Sequence, residues 1–197
     1  EGNPIPDKST ATIYAVGVPG SVDGMVQAHT RFGTLDWASL VQPAIDLAQN
    51  GYLVSEKQAF YLNKFAPDFL ARNPNNTYFQ KTGGWKAGDT LIQPDLAQTL
   101  VLIRDQKRAG FYEGQTAALL LNEVNSRNAA AITQADLDEY QSRWRDPLKG
   151  KYHGYEIISM PPPSSGGVAL IQMLGMTQPY DLKNLGFHSA DAVHLMV

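Results

Sequence analysis

The sequence predicts an α+β fold that is predominantly helical, with a β-hairpin near the C-terminal end. Apolar residues recur at helical spacing behind cap residues through most of residues 13–140. Convincing strand character appears only within residues 141–160, where β-branched and aromatic residues flank a glycine. An apolar strand then runs into Met160-Pro161-Pro162-Pro163-Ser164-Ser165-Gly166-Gly167, and an apolar helix follows. The expected organisation is a polar lead-in at 1–12, a mainly helical part at 13–140, the hairpin at 141–160, and a Pro/Ser/Gly loop with helices at 161–197.

Each element has a local cause. Ser21 is placed to cap a helix through about Arg31, stopped by Gly33. Thr34 or Asp36 caps the next, Trp37 to Asn50, with Gly51 as its stop; Pro43 inside it predicts a kink or break near Val41 to Gln42. Ser55-Glu56-Lys57-Gln58 has capping-box spacing and opens a helix toward Ala66-Pro67. Arg72 to Asp89 is rich in Asn, Pro, Gly and Thr and predicts a long surface excursion, with a glycosylation triplet at Asn75-Asn76-Thr77 that an Asn-rich turn explains equally well.

Pro94 suits the first position of a helix that ends before Gly110. Gly114 to Arg127 follows as a helix whose Ala118-Leu119-Leu120-Leu121 run predicts broad burial. Thr133 and Asp136 form a capping box for a short helix to about Tyr140. Arg143–Leu148 and Tyr152–Ser159 are expected to pair across a turn at Lys149-Gly150-Lys151. Val168–Leu174 is expected as a buried helix, with Ser164 or Ser165 as its cap, and Ser189 caps a last helix.

Composition narrows the function classes. With 43% hydrophobic and 18% charged residues, the 197-residue chain supports one sizeable core or two small ones. A net charge of −3 without a Lys/Arg run gives no footprint for nucleic acid. The absence of cysteine removes disulfides, thiolate metal sites and a cysteine nucleophile. No stretch approaches the roughly 20 apolar residues of a membrane-spanning helix. Glu1 at the start and an interrupted helix at Val197 suggest a piece of a longer protein, so that a catalytic group could lie outside it.

The Pro-Ser-Gly loop is the main candidate for function. Three prolines hold it extended without N–H donors, and Gly166 and Gly167 permit close approach, so it could cradle an oxyanion; a rigid strand-to-helix turn is the competing explanation. His29, His153, His188 and His194 form no helical metal motif. Asp136, Asp138 and Glu139 suit a first helical turn better than a catalytic cluster. Gly17–Gly20 and Gly83-Gly84 lack the pattern of a phosphate loop, and Trp37, Trp85 and Trp144 are expected as packing residues.

Taken in order, these segments resemble the large subunit of gamma-glutamyltranspeptidases, members of the N-terminal-nucleophile (Ntn) hydrolases. The likeness rests on Gly17-Val18-Pro19-Gly20-Ser21-Val22-Asp23-Gly24, Arg31-Phe32-Gly33-Thr34, Gln42–Tyr52, Gly88-Asp89-Thr90-Leu91, Gly110-Phe111-Tyr112-Glu113-Gly114, Ile132–Leu137, Tyr152–Glu156, Met160–Gly167 and Gly186–Ala192. It covers nearly the whole chain from Val16 onward. Each motif is weak alone, and the ordered set is specific.

The resemblance implies a partial large-subunit segment of a single Ntn-hydrolase domain whose parent fold is an αββα sandwich. It implies a precursor that cuts itself into two subunits, with a threonine at the start of the small subunit as nucleophile and its α-amino group as base. The γ-glutamyl group of glutathione or a similar small-molecule amide passes to that threonine, then to water, an amino acid or a peptide. No metal or organic cofactor is implied. The nucleophile falls outside the sequence, so Thr10, Thr34 and Thr177 are not assigned, and Arg31, Arg143 and Arg145 do not match the family's substrate-carboxylate arginine.

No catalytic or substrate-binding residue is therefore carried over, and the segment alone is expected to be inactive. Pro162, Pro163, Ser164, Ser165, Gly166 and Gly167 are expected to support an active-site wall completed by the small subunit, and valine at Gly166 or Gly167 to impair maturation through backbone strain. The resemblance further implies a periplasmic or secreted location, and uncovered apolar surface predicts self-association. Two alternatives stay open: a related acylase acting on β-lactam side chains or poly-γ-glutamate, and a non-catalytic helical interaction module.

Overall fold

The computed structural model describes residues 8–10, 12–73, 78–126 and 131–197; the Asn75-Asn76-Thr77 triplet, Arg127 and most of the polar lead-in lie outside these. The chain forms two compact units, Glu1–Ser142 and Arg143–Val197. After a 3-10 turn at Ile13–Ala15, the first unit comprises α1 (Ser21–Phe32), α2 (Trp37–Asn50), β1 (Tyr52–Leu53), α3 (Glu56–Arg72), β2 (Thr90–Leu91), α4 (Pro94–Gln106), α5 (Ala109–Tyr112), α6 (Gly114–Asn125) and α7 (Gln134–Glu139). The second comprises β3 (Leu148–Tyr152), β4 (Tyr155–Ser159), α8 (Gly166–Thr177) and α9 (Ala190–Met196).

Helix starts follow their caps where a side chain reaches the first turn. Asp36 accepts the Ser39 N–H, Ser55 the Gln58 N–H and Ser189 the Ala192 N–H. Thr133 and Asp136 make the reciprocal capping box before α7. Ser21 is instead the first residue of α1, with Gly20 at the cap position and no side-chain bond, because the chain is already helical at Gly20 (φ −109°, ψ −8°).

Prolines break fewer helices than expected. α2 runs unbroken through Pro43, where Ile45 and Ala48 beyond it are buried and Gln42 accepts from Arg104 of α4 at 2.6 Å. α3 continues past Pro67 to Arg72, its last turn held by Phe69 stacked on Phe79. In both cases packing offsets a local cost of about 3 kcal/mol.

The first unit has two apolar clusters. The larger gathers Val22, Trp37, Ile103, Tyr112, Ala117, Val124, Ile132 and Leu137, with the Trp37 indole N–H donating to Ile103 O at 3.0 Å. A Cβ at Gly110 would overlap the Leu102 carbonyl, so glycine lets α5 press directly on α4. The smaller joins Val54, Ala59, Trp85 and Leu91. Trp85 anchors the surface excursion, whose described residues 78–89 form no helix or strand and are otherwise exposed or half-buried. It is buried, its N–H and C=O are both bound by the Asn63 amide, and its indole donates to Phe79 O. Burial along α6 is also narrower than the Ala-Leu run suggested, since Thr116, Ala117 and Val124 face the core while Leu119 is exposed.

In the second unit the hairpin forms in a different register from the expected one. Tyr152 pairs with Tyr155, so His153-Gly154 make the turn and Lys149-Gly150-Lys151 lie inside β3; Arg143–Asp146 are not strand. Both turn residues have positive φ, 45° and 87°, as a two-residue turn matched to strand twist requires. Gly150 serves packing instead, because a Cβ there would lie 3.0 Å from the Ile171 side chain of α8. α8 is not a buried helix: Gly167 is its one buried residue, and Leu170, Met173 and Met176 are exposed, as are Tyr155, Ile158 and Met160 of the hairpin.

The turn assignment predicts opposite outcomes for two glycines. Gly154→Ala should weaken the hairpin by about 1–2 kcal/mol through left-handed strain, while Gly150→Ala should be tolerated by movement of Ile171. Amide exchange across Leu148–Ser159 reads both, and equal loss of protection in the two variants would contradict the assignment.

Candidate functional site

The Pro-Ser-Gly loop joins β4 directly to α8. Ser164 N–H donates to Pro161 O at 3.2 Å, closing a tight turn, and the Pro162–Pro163 bond is cis. Ser165 takes the N-cap position of α8, one of the two expected, but has helical angles (φ −79°, ψ −18°) and makes no side-chain cap bond. Pro162, Pro163, Ser164, Ser165 and Gly166 are exposed, whereas Gly167 is buried.

The two glycines differ. A Cβ on Gly167 would overlap the Met160 carbonyl oxygen and crowd the Ser159 side chain, while one on Gly166 would meet only Ser164 Oγ at 3.8 Å. Neither has positive φ. Close packing of the helix start against the strand end at Gly167 therefore replaces backbone strain as the constraint. The loop is an exposed ridge pinned at one buried point.

A second polar constellation lies in the first unit and was not evident as a cluster in the sequence. Asp23, 3% exposed in the first turn of α1, accepts from the Ser142 N–H at 2.7 Å and from Gln27 Nε2 at 2.8 Å, and pairs with Arg108 Nε at 3.2 Å. Burial pushes the Asp23 carboxyl upward, but the Ser142 bonds, Gln27 and Arg108 outweigh it and hold the group below its ordinary value. Arg108 stacks over the Tyr112 ring, and Tyr112 stacks on Tyr140 and donates its hydroxyl proton to Pro19 O at 2.6 Å. Burial holds the Tyr112 phenol above its usual range.

This cluster accounts for the Gly17–Gly24 motif. Pro19 supplies the carbonyl that Tyr112 binds, and a side chain at Gly20 would overlap the Tyr140 hydroxyl. The one legible signal was Asp23 itself, a carboxylate between Val22 and Val26 on a face with core character. Gln27 and Arg108 bind backbone carbonyls and Asp23 binds the Ser142 N–H, so the arrangement holds backbone in place.

The remaining candidates stand apart. His29 Nε2 lies 2.8 Å from Leu35 O beside an apolar cleft of about 620 Å³ lined by α1, α2 and α4, where it is the one ionisable lining group among the described residues. His153 is in the hairpin turn, His188 stacks on Phe187 and His194 is in the last turn of α9. Asp136 is absorbed by the capping box and Asp138 by Gln134. Trp37 and Trp85 belong to separate clusters, and Trp144 is exposed. Among the described residues no group of three or more His, Asp or Glu could hold a metal ion.

With this geometry in view, a sequence model of the gamma-glutamyltranspeptidase family matches residues 1–197. The chain is 38% identical over 198 residues to a glutathione hydrolase proenzyme of Escherichia coli, covering 100% of this chain and 34% of that protein. It is 42% identical over 184 residues to the acylase ACY 1 proenzyme of a Pseudomonas strain, covering 92% and 33% respectively. The crystal structure of Helicobacter pylori gamma-glutamyltranspeptidase superposes with a TM-score of 0.91 at 41% identity, over 98% of this chain and 56% of that one. The mostly helical chain with small antiparallel hairpins thus has the fold of this part of an Ntn-hydrolase. It belongs to the gamma-glutamyltranspeptidase family, and it spans about a third of the length of the curated relatives it matches.

Two outcomes follow for the site residues. Gly167→Ala should destabilise the second unit by about 1–3 kcal/mol through overpacking, whereas Gly166→Ala should be neutral or stabilising by up to about 1 kcal/mol; thermal melts of both variants check this. The Asp23 contribution to stability is complete above its unfolded value near 3.8 and is lost as pH falls through the lower folded value. Urea unfolding of Asp23→Asn should therefore give a lower free energy at neutral pH and a shallower acid decline than wild type, and parallel pH profiles would contradict it.

Proposed function

We propose that this chain is a segment of the large subunit of an autoprocessed gamma-glutamyltranspeptidase, all of residues 1–197 belonging to a single Ntn-hydrolase domain. The observation that carries the proposal is the family match across all 197 residues, which takes in the Pro-Ser-Gly loop without interruption. The complete protein cleaves γ-glutamyl amides such as glutathione. A threonine hydroxyl at the head of the small subunit attacks the amide carbonyl, its proton passes to the threonine α-amino group, and the leaving amine departs with a proton. Water, an amino acid or a peptide then takes the γ-glutamyl group from the resulting ester.

In this reading, Pro162–Gly167 brace one wall of the active site and contribute no nucleophile. Their exposure and the buried anchor at Gly167 support that role. The small subunit cut from the same precursor covers apolar surface left open on α8 and the hairpin, including Leu170, Met173, Met176 and Ile158. Among the described residues no helix is long and apolar enough to cross a membrane, and a periplasmic or secreted location follows the implied export of the family. An acylase proenzyme is 42% identical to the chain, while several glutathione hydrolase proenzymes match it over its whole length and support the glutathione reading.

Expression of the full-length precursor tests the proposal. It should yield two subunits on a denaturing gel and release p-nitroaniline from γ-glutamyl-p-nitroanilide, more rapidly than it hydrolyses a β-lactam side-chain amide. Residues 1–197 alone should give no release above a no-protein control. An unprocessed, inactive precursor or an active isolated segment would overturn the assignment. The isolated segment should also self-associate in size-exclusion chromatography with light scattering, and a monomer at high concentration would count against the uncovered surface.

A further inference from the structure

The polar groups around Asp23 converge on a stretch of backbone. Ser142 is gripped at both of its peptide groups: its N–H donates to Asp23 Oδ2 at 2.7 Å, and its carbonyl accepts from Gln27 Nε2 at 3.1 Å. The same Gln27 nitrogen lies 2.8 Å from Asp23 Oδ2, which fixes the amide between its two acceptors. Just upstream, Arg108 Nη2 donates to the carbonyls of Leu137, Asp138 and Tyr140 at 3.1, 3.2 and 2.8 Å, while its Nε pairs with Asp23. One charge pair therefore holds two neighbouring pieces of chain.

The segment so held has no other regular support. α7 ends at Glu139, and no helix or strand follows until β3 begins at Leu148. Gln141 is exposed, Tyr140 and Ser142 are half-buried, and Ser142 is the last residue of the first compact unit. The Tyr140 ring stacks on Tyr112 against the core, and the rest of the segment is anchored by side-chain-to-backbone bonds, so it opens in a smaller unit than the core beneath it. Charge-assisted bonds concentrate that anchoring in few contacts.

We propose that Asp23, Gln27 and Arg108 form a releasable clamp on Tyr140–Ser142. Docking of this strap fixes the point from which the chain leaves the first unit, and loss of the charge pair frees the strap while the core of that unit stays folded. The strap is thus a conformational device separate from the Pro-Ser-Gly loop and joined to the apolar core through the Tyr140 ring.

Amide hydrogen exchange on the 197-residue protein tests the clamp. In Arg108→Gln and Asp23→Asn, exchange at Ser142 should accelerate at least about tenfold, a fold-change equal to about 1.4 kcal/mol, while Ile103 and Val124 amides change far less. Gln27→Ala, which keeps the charge pair, should give a smaller acceleration at the same position and stands in if either charge variant fails to fold. Arg108→Lys should restore little protection, because an ammonium cannot serve the strap carbonyls and Asp23 with a guanidinium's fork. Equal acceleration of Ser142 and the core amides, or no change at Ser142 in any variant, would overturn the proposal.

Discussion

The polar closure of the first unit rests on one charge pair, buried Asp23 with half-buried Arg108, that joins residues far apart in sequence. Asp23 and Ser142 are 119 positions apart, and Tyr112 and Pro19 are 93 apart, yet both contacts belong to one connected group with Arg108 and Tyr140. Closing loops of that length costs entropy that grows only slowly with length, so a few strong contacts at the closure suffice. A carboxylate taken out of water is costly unless its lone pairs are filled, and here Ser142, Gln27 and Arg108 fill them. The glycines at the cap and in the first turns of α1 follow from this arrangement. Tyr140 occupies the space a side chain at Gly20 would need, and Ser142 lies against Gly24.

Local chemistry made much of the fold legible. Asp36, Ser55, Thr133 and Ser189 each cap the helix they were expected to cap, and Pro94 stands in the first turn of α4, because these signals act within four residues. The misplaced features were settled by contacts at a distance. Pro67 lies inside α3 because Phe69 finds Phe79. Gly150 resembled a turn residue, but α8 packs above it, and the less obvious pair His153-Gly154 supplies the two positive φ angles. Trp85 packs as expected, with Asn63 satisfying its backbone.

The candidate site was legible in a different sense. The Pro-Ser-Gly loop was found by composition and its family likeness by the order of motifs, yet the distinct roles of its glycines needed the strand end at Met160 in place. Asp23 was visible only as part of the Gly17–Gly24 motif, since its partners come from α5's entry and from the segment after α7. Apolar composition likewise suggested a buried α8, whereas Leu170, Met173 and Met176 lie open. An apolar sequence records what is eventually covered and leaves the covering element unspecified.

Together these features describe a scaffold segment: a helical unit closed by the Asp23 contacts, and a hairpin that delivers an exposed loop packed at Gly167. We propose that this loop supports a catalytic centre completed by the rest of the precursor. A structure of the mature full-length protein trapped as its γ-glutamyl ester tests it most directly. The account predicts that Pro162–Gly167 line the cavity holding the acyl group, with the ester on a threonine outside these 197 residues. An acyl group remote from the loop, or attached within residues 1–197, would contradict it.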